Sequence, residues 1–282
     1  MIRLLHLSCR TATVRSLAAS AVVGILAALI PAGMPAGATP APAVEVWEPD
    51  YQLYSSGKFV YQRHCALCHG PRGDGNGELA ATTSPKPRSF AQGLFKFRTT
   101  PWEKLPTDDD LRRTITHGIT GTGMGGFSQL REQELAGVIE FIKFFSRRWK
   151  RDENFAAPLE FPEPPGWLAN PTLAAQRDLH AEKGKVLFTN LCATCHGASG
   201  DGKGPAANGL TDAWDQPVPP SNLRAEHLRC GDGPADIYRI LVTGMNGTPM
   251  LAYGDSLTPE QRWQVVAYVL SLRREAGVTA AP

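Results

Sequence analysis

The chain has 282 residues, of which 42% are hydrophobic and 20% charged, and its formal net charge is +2 at neutral pH. This is the composition of an ordinary globular protein, and the length suggests about two domains. Because the charge is nearly balanced and no strong basic patch is visible, the sequence excludes a nucleic-acid-binding protein that relies on a broad positive surface.

The first 38 residues have the layout of an export signal. Three arginines precede an apolar run over residues 17–30, and prolines and the small-residue triplet 36–38 follow it. We predict a signal peptide over residues 1–38 and a periplasmic protein. The alternative is a retained anchor, which would associate the protein with a membrane. Against it, fourteen helical residues cover roughly 21 Å of a hydrocarbon core of roughly 30 Å.

A five-residue motif with two cysteines and a histidine occurs twice, at residues 65–69 and 192–196. Cysteines three residues apart lie on one side of a helical turn and suit thioether bonds to the two vinyl groups of a haem, while the adjoining histidine offers an imidazole to its iron. The predicted cofactors are therefore two covalently bound haem c groups. The residues assigned to attachment are Cys65, Cys68, Cys192 and Cys195, and those assigned to iron ligation are His69 and His196.

A redox dithiol and half of a zinc site are two other uses of a Cys-Xaa-Xaa-Cys sequence. A redox dithiol has no need of the following histidine, and a zinc site would pool ligands from two motifs that each look complete. Both motifs are also followed by Gly-Xaa-Xaa-Gly-Asp-Gly. Duplication of the whole pattern favours haem over either alternative.

The two motifs belong to a longer internal repeat. The first motif recurs 127 positions later, and Gly118 and Met124 recur as Gly244 and Met250, 126 positions later. Each copy predicts an opening helix, the haem motif, an extended segment, a short helix, a methionine loop and a closing helix. The predicted helices are 51–65, 108–117 after a Thr107 cap, 131–146, 173–192, 234–242 and 259–274. No alternating strand pattern of useful length appears, so the predicted fold class is all-α.

A proline-rich stretch separates the two copies and contains Pro158, Pro162, Pro164, Pro165 and Pro171. So many prolines disfavour helix and predict a stiff, extended connector. We predict a first domain over residues 45–151, a linker over 152–172 and a second domain over 173–276. The basic run 147–151 is interpreted as a solvated helix end, where positive charge complements the helix dipole.

Each copy places a methionine at a similar distance after its haem histidine. Met124 follows His69 by 55 residues and Met250 follows His196 by 54, in both cases before the closing helix. A methionine usually fills a core, but two methionines at matching positions of a repeat favour a shared role. A thioether opposite histidine closes the sixth position of the iron and raises its potential. We therefore predict that Met124 and Met250 are the second iron ligands.

Several other residues are interpreted as structural. Met245 lies opposite Ile119 in the repeat and is assigned to packing. The Asp-Gly turns after each motif lack a full set of calcium ligands and are interpreted as glycine-rich turns. Cys230 has no partner when both cysteine pairs hold haem and Cys9 leaves with the signal peptide, and it is predicted to be a buried thiol, with intermolecular pairing as the alternative. The histidines assigned to the surface, because none recurs in the other copy, are His64, His117, His180 and His227.

These features resemble the periplasmic dihaem cytochromes c, which contain two class I cytochrome c domains in tandem. The resemblance covers residues 50–150 and 175–275. It implies that the opening and closing helices of each domain cross at a glycine, Gly57 or Gly184, beside a pair of aromatic side chains. These pairs are Tyr61 with Phe141 and Phe188 with Tyr268. Glycines follow Met124 where the family usually has a proline-containing stretch, which implies a looser first methionine loop and unequal haem potentials.

The predicted function is single-electron transfer by an exported c-type cytochrome between a redox protein donor and acceptor, such as a membrane or periplasmic oxidoreductase. No substrate bond changes, so no enzymatic activity and no catalytic residue are expected. One alternative is a cytochrome subunit of a larger dehydrogenase or terminal oxidase. A weaker alternative is a dihaem peroxidase, which would need one iron able to open to peroxide.

Overall fold

Helices form the regular structure in the computed structural model, which describes residues 44 and 46–278. The predicted signal peptide lies outside these residues. The described residues contain no strand and only one isolated antiparallel bridge, between Thr211 and Pro217. Nor does any helix in this part of the chain combine the length and apolar character needed to cross a bilayer. The predicted all-α fold class is confirmed.

The two copies of the repeat contain the same four helices, joined by a short fifth one. The first copy contains α1 (Tyr51–His64), α2 (Ala66–His69), α3 (Asp108–His117) and α4 (Glu132–Lys143). The connecting helix is α5 (Gly166–Ala169), and the second copy contains α6 (Ala174–Leu191), α7 (Ala193–His196), α8 (Pro234–Thr243) and α9 (Pro259–Glu275). Single 3-10 turns lie at Ala80–Thr82, Arg147–Lys150, Asp152–Asn154 and Pro171–Leu173. All six predicted helices are present, with ends shifted by three residues or fewer.

Side-chain caps explain where two of the helices begin. Thr107 accepts a hydrogen bond from the backbone of Asp110 at 3.1 Å, and the Asp110 carboxylate accepts one from the backbone of Thr107 at 3.0 Å. Thr258 and Gln261 make the same reciprocal pair at the start of α9. Each pair satisfies two amide donors that a helix start leaves free.

The opening and closing helices of each copy cross in direct backbone contact. A Cβ atom at Gly57 would lie 1.8 Å from the carbonyl oxygen of Gly137, and one at Gly184 would lie 1.9 Å from that of Gln264. Only glycine allows two helices to approach this closely. The crossings implied by the family resemblance are therefore present in both copies.

Aromatic side chains fill the space beside each crossing. The ring centres of Tyr61 and Phe141 are 5.1 Å apart in the first copy, and those of Phe188 and Tyr268 are 5.1 Å apart in the second. All four side chains are buried in the cores of their copies. Because these cores adjoin the haem motifs, the crossing fixes the opening helix that leads into each motif.

The basic run 147–151 differs from the predicted solvated helix end. Helix α4 ends at Lys143, and Trp149, in the following 3-10 turn, is only 2% exposed. Its indole contacts the rings of Phe95 and Phe155 at centre distances of 6.3 and 5.9 Å. Burial of this large apolar ring turns the chain back onto the first copy. Arg147, Lys150 and Arg151 are exposed as predicted, but the run is not a helix end and its tryptophan is buried.

The proline-rich stretch lies against the protein instead of spanning open solvent. Residues 155–165 form no helix or strand, as their prolines predict, and Leu159 donates a backbone hydrogen bond to Thr99 at 2.8 Å. The side chains of Leu159 and Phe161 pack on the core of the second copy. The connector therefore contacts both copies, which also touch each other directly.

Candidate haem sites

The first candidate site is built around His69, at the end of α2. Its ring is 9% exposed and stacks on Phe90 with ring centres 4.6 Å apart. Nδ1 lies 2.8 Å from the carbonyl oxygen of Arg88, so it donates its proton there and leaves the lone pair on Nε2. Burial lowers the pKa of His69, which also favours the neutral imidazole that a metal requires.

The second site repeats this arrangement at His196, at the end of α7. Nδ1 lies 3.1 Å from the carbonyl oxygen of Ser221, and burial again lowers the pKa of the imidazole. Sequence reasoning missed both acceptors. A weak signal exists: each acceptor follows a proline and precedes an apolar side chain by two residues, in Pro87-Arg88-Ser89-Phe90 and in Pro220-Ser221-Asn222-Leu223.

The cysteines of each motif lie one helical turn apart and form no disulfide. Burial raises the pKa of Cys65 to about 12 and that of Cys192 to about 11, and the second thiol of each motif acts in the same direction. A catalytic or redox dithiol needs a lowered pKa to supply its thiolate. Cys65 and Cys192 have the opposite property, which argues against a redox dithiol.

A glycine-rich turn packs against each haem motif. A Cβ atom at Gly77 would lie 2.2 Å from the carbonyl oxygen of Leu67, and one at Gly204 would lie 2.4 Å from that of Thr194. The aspartate of each turn accepts a hydrogen bond from a backbone amide two residues later. No cluster of three or more acidic, histidine or cysteine ligands suited to a metal ion occurs in the described part of the chain. The described geometry of these segments is that of tight glycine-rich turns.

The first methionine loop is closed by a small set of hydrogen bonds. Ile119 donates its amide proton to the carbonyl oxygen of Met124 at 2.9 Å. The Thr122 hydroxyl donates to the carbonyl oxygen of Ile119 at 2.7 Å and accepts from the Met124 amide at 3.1 Å. These bonds fix the backbone from which the Met124 side chain extends.

The second methionine loop has the same hydrogen bonds. Met245 donates to Met250 at 3.0 Å, and Thr248 bonds both residues at 2.8 and 3.2 Å. Met245 therefore occupies the place of Ile119. The loops differ in packing, however: Met250 lies against the core of the second copy, whereas a Cβ atom at Gly125, beside Met124, would contact nothing within 4 Å.

The other singled-out residues have local partners. Cys230 is a largely buried thiol beside the carbonyl oxygen of Gly231, and burial raises its pKa to about 12. His180 stacks on Trp167 with ring centres 4.0 Å apart. His227 bonds the carboxylate of Asp232 at 2.7 Å.

The donor sets of both sites fit a haem c, since each joins paired thiols, a neutral imidazole with a free lone pair, and a methionine loop. Two family models match the chain. Residues 181–273 match cytochrome c, and residues 52–142 match subunit III of cbb3-type cytochrome c oxidase. Two cytochrome c domains in tandem imply two covalently bound haem c groups.

Curated relatives of the chain include cytochrome subunits of oxidases. The cbb3-type cytochrome c oxidase subunit FixP of Azorhizobium caulinodans is 25% identical over 77% of this chain and 59% of its own length. Subunit CcoP of Azospirillum brasilense is 26% identical over 52% of this chain and 41% of its own length. The chain thus spans less than two thirds of the length of these curated relatives.

A solved structure is similar over nearly the whole of its length. A chain of the reducing HAO-like protein complex of Kuenenia stuttgartiensis is 36% identical, with a TM-score of 0.71. The alignment covers 81% of the present chain and 97% of the other. The similarity therefore extends over both copies and their connector.

Proposed function

Because this chain belongs to the dihaem cytochrome c family, we propose that it carries single electrons between a donor and an acceptor protein through its two haems. The observation that carries the proposal is the exact repetition of one arrangement in both domains. In each, a histidine bonded through Nδ1 to a backbone carbonyl precedes a hydrogen-bonded methionine loop. When bound, each haem supplies an iron that takes up and releases one electron.

The proposed roles of the side chains follow from their chemistry. The four motif cysteines hold the porphyrins as thioethers, and Nε2 of His69 and His196 binds the irons. The sulfurs of Met124 and Met250 occupy the opposite positions. The carbonyl groups of Arg88 and Ser221 hold each imidazole in one tautomer and orientation. With both axial positions filled, the site favours electron transfer and leaves no position for a substrate.

The proposed location is the periplasm. Residues 1–38 would act as the export signal, and a membrane contact would require retention of the apolar segment 17–30. We keep the domain limits 45–151 and 173–276, with the linker at 152–172, as part of the proposal.

Membership of a larger complex is a second candidate function. The curated relatives are named as subunits of cbb3-type oxidases, and the similar solved chain belongs to a protein complex. In that setting the chain would pass electrons to or from a catalytic subunit without being an enzyme itself. Purification from the native membrane and periplasmic fractions would distinguish the two, because a stable subunit co-purifies with its partner chains.

Absorbance spectroscopy of the purified protein tests the proposed ligands. We expect two covalent haems per chain, reversible one-electron steps, and the weak methionine-to-iron charge-transfer band in the oxidised state. High-spin iron at rest without this band would overturn the assignment of Met124 and Met250. Rapid peroxide turnover with an artificial donor would instead support a dihaem peroxidase.

A further inference from the structure

A segment that distinguishes the first domain from the second also joins the two domains. Phe95-Lys96-Phe97-Arg98 has no counterpart in the second copy. Arg98 is completely buried, although it belongs to an irregular segment of the first copy. Such burial of a guanidinium is costly unless its donors are satisfied.

The donors of Arg98 reach the end of a helix in the other domain. Nη2 donates to the carbonyl oxygen of Thr243 at 2.5 Å, and Nη1 donates to that of Gly244 at 3.4 Å. Thr243 is the last residue of α8, and Gly244 follows it with a φ of 61°. The last carbonyl groups of a helix lack partners within the helix and carry its negative dipole end, so a buried cation there stabilises them strongly.

Other first-domain residues hold the chain that follows α8. The Asn246 side chain accepts a hydrogen bond from the amide of Glu103 at 3.0 Å and donates to the carbonyl oxygen of Lys104 at 3.3 Å. The Trp102 ring lies so close to Gly244 that a Cβ atom there would come within 2.5 Å of it. The first four residues after α8 therefore contain two points of attachment to the first domain.

This stretch is the start of the second methionine loop. Met245, between the two attachment points, donates the backbone hydrogen bond to Met250 that closes the loop. In the first domain the corresponding helix α3 ends at exposed His117, and no side chain in the described part of the chain plays the role of Arg98 there. Among residues 44 and 46–278, contacts from the other domain hold the second methionine loop but not the first.

We propose that Arg98 is a positioning residue for Met250, so that the iron–sulfur bond of the second domain depends on the first domain. The proposal rests on the ligand set assigned under the proposed function. Arg98 touches neither the porphyrin nor the iron in this scheme. It acts by fixing the backbone of α8 and of the loop that carries the methionine.

The test isolates the charge-transfer band of each domain. Met124→Leu leaves only the band of the second domain, and Met250→Leu leaves only that of the first. Into each background we would introduce Arg98→Met, with Arg147→Met as the control because Arg147 is an exposed arginine of the same domain. We expect Arg98→Met to cause loss of the band in the Met124→Leu background and no change in the other, and Arg147→Met to change neither.

Each other outcome is decisive. An undiminished band in the Met124→Leu background, or equal losses in both backgrounds, would overturn the role of Arg98 while leaving the ligand set intact. Absence of the band from the parent protein would overturn the ligand set and, with it, this proposal. If Arg98→Met does not fold, Arg98→Lys is the second variant, because it retains the charge with fewer hydrogen-bond donors. Circular dichroism would show that it is folded, and we expect the same selective loss of the charge-transfer band in its oxidised state.

Discussion

Arg88 and Trp214 join the two domains through a stacked contact, in which the guanidinium carbon lies 3.8 Å from the centre of the indole ring. The carbonyl oxygen of the same arginine accepts the hydrogen bond from His69. Asp212 of the second domain lies 3.9 Å from the guanidinium and adds a weak attraction. A single residue of the first domain thus supports the candidate iron ligand with its backbone and the second domain with its side chain.

Loss of this stacked contact should weaken the join between the domains. We expect Trp214→Leu to lower the free energy of unfolding by about 2 kcal/mol, because a desolvated cation loses its aromatic face. Trp214→Phe is the matched control and should retain most of the stability, since a ring face remains. Denaturant unfolding would check this. Equal stability of the Leu and Phe variants would show that the stacking contributes little.

The helix crossings should tolerate no side chain at their glycines. Gly57→Ala or Gly184→Ala would place a methyl group within 2 Å of a backbone oxygen, as the distances of 1.8 and 1.9 Å require. We expect a loss of about 3 kcal/mol in the free energy of unfolding, as for severe overpacking.

Thermal unfolding of the holoprotein would measure this loss. Gly166→Ala is the control, because a Cβ atom there meets nothing within 4 Å. Wild-type stability of the Gly57 and Gly184 variants would mean that the helices can separate at little cost.

The two methionines should contribute separately to the redox behaviour. Met124→Leu or Met250→Leu should each remove about half of the methionine-to-iron band and lower the potential of one haem, because the sulfur stabilises reduced iron. A spectroelectrochemical titration would show one step moved and the other unchanged. Simultaneous displacement of both steps in either variant would contradict independent ligation.

The thiol of Cys230 should make stability fall at high pH. Burial raises its pKa to about 12, so the folded state keeps the thiol proton over a pH range in which the unfolded state loses it. The contribution of the protonated thiol to the free energy of unfolding is therefore complete below about pH 9. It declines by about 1.4 kcal/mol per pH unit as the pH rises towards 12.

Comparison with Cys230→Ala isolates this effect from other groups that titrate at high pH. We expect the free energy of unfolding of the parent to fall more steeply than that of the variant between pH 9 and 11. Parallel curves would show that the thiol ionises as easily in the folded protein as in the unfolded chain.

Local chemistry made much of the fold predictable. Thr107 and Thr258 indicate helix starts because each is followed, three residues later, by a carboxylate or amide side chain. The threonine hydroxyl and this side chain each bond the backbone amide of the other residue. The crossing beside Gly57 and Tyr61 was implied instead by the resemblance to the dihaem cytochromes c. The capping residues lie within a few positions of one another, so the linear sequence contains their signal.

The contacts that the sequence did not reveal join residues that are far apart along the chain. The acceptors for His69 and His196 are backbone carbonyl groups, which every residue type possesses. The role of Arg98 could not be predicted, because nothing near it in the sequence indicates the carbonyl group of Thr243, 145 positions away. The burial of Trp149 was not predicted, because the residue lies within a charged run that indicates a solvent-exposed segment.

The hydrogen bonds of Arg98 also determine how the contact between the two domains responds to low pH. Its acceptors at Pro101, Thr243 and Gly244 are all peptide oxygens, and Asn246 likewise bonds only peptide groups across the domains. Amides take up no proton in the range where carboxylates become neutral. An ion pair in this place would be lost when acid protonates its carboxylate. The hydrogen bonds to peptide groups persist, so the two domains stay in contact while the charge of the surrounding surface changes.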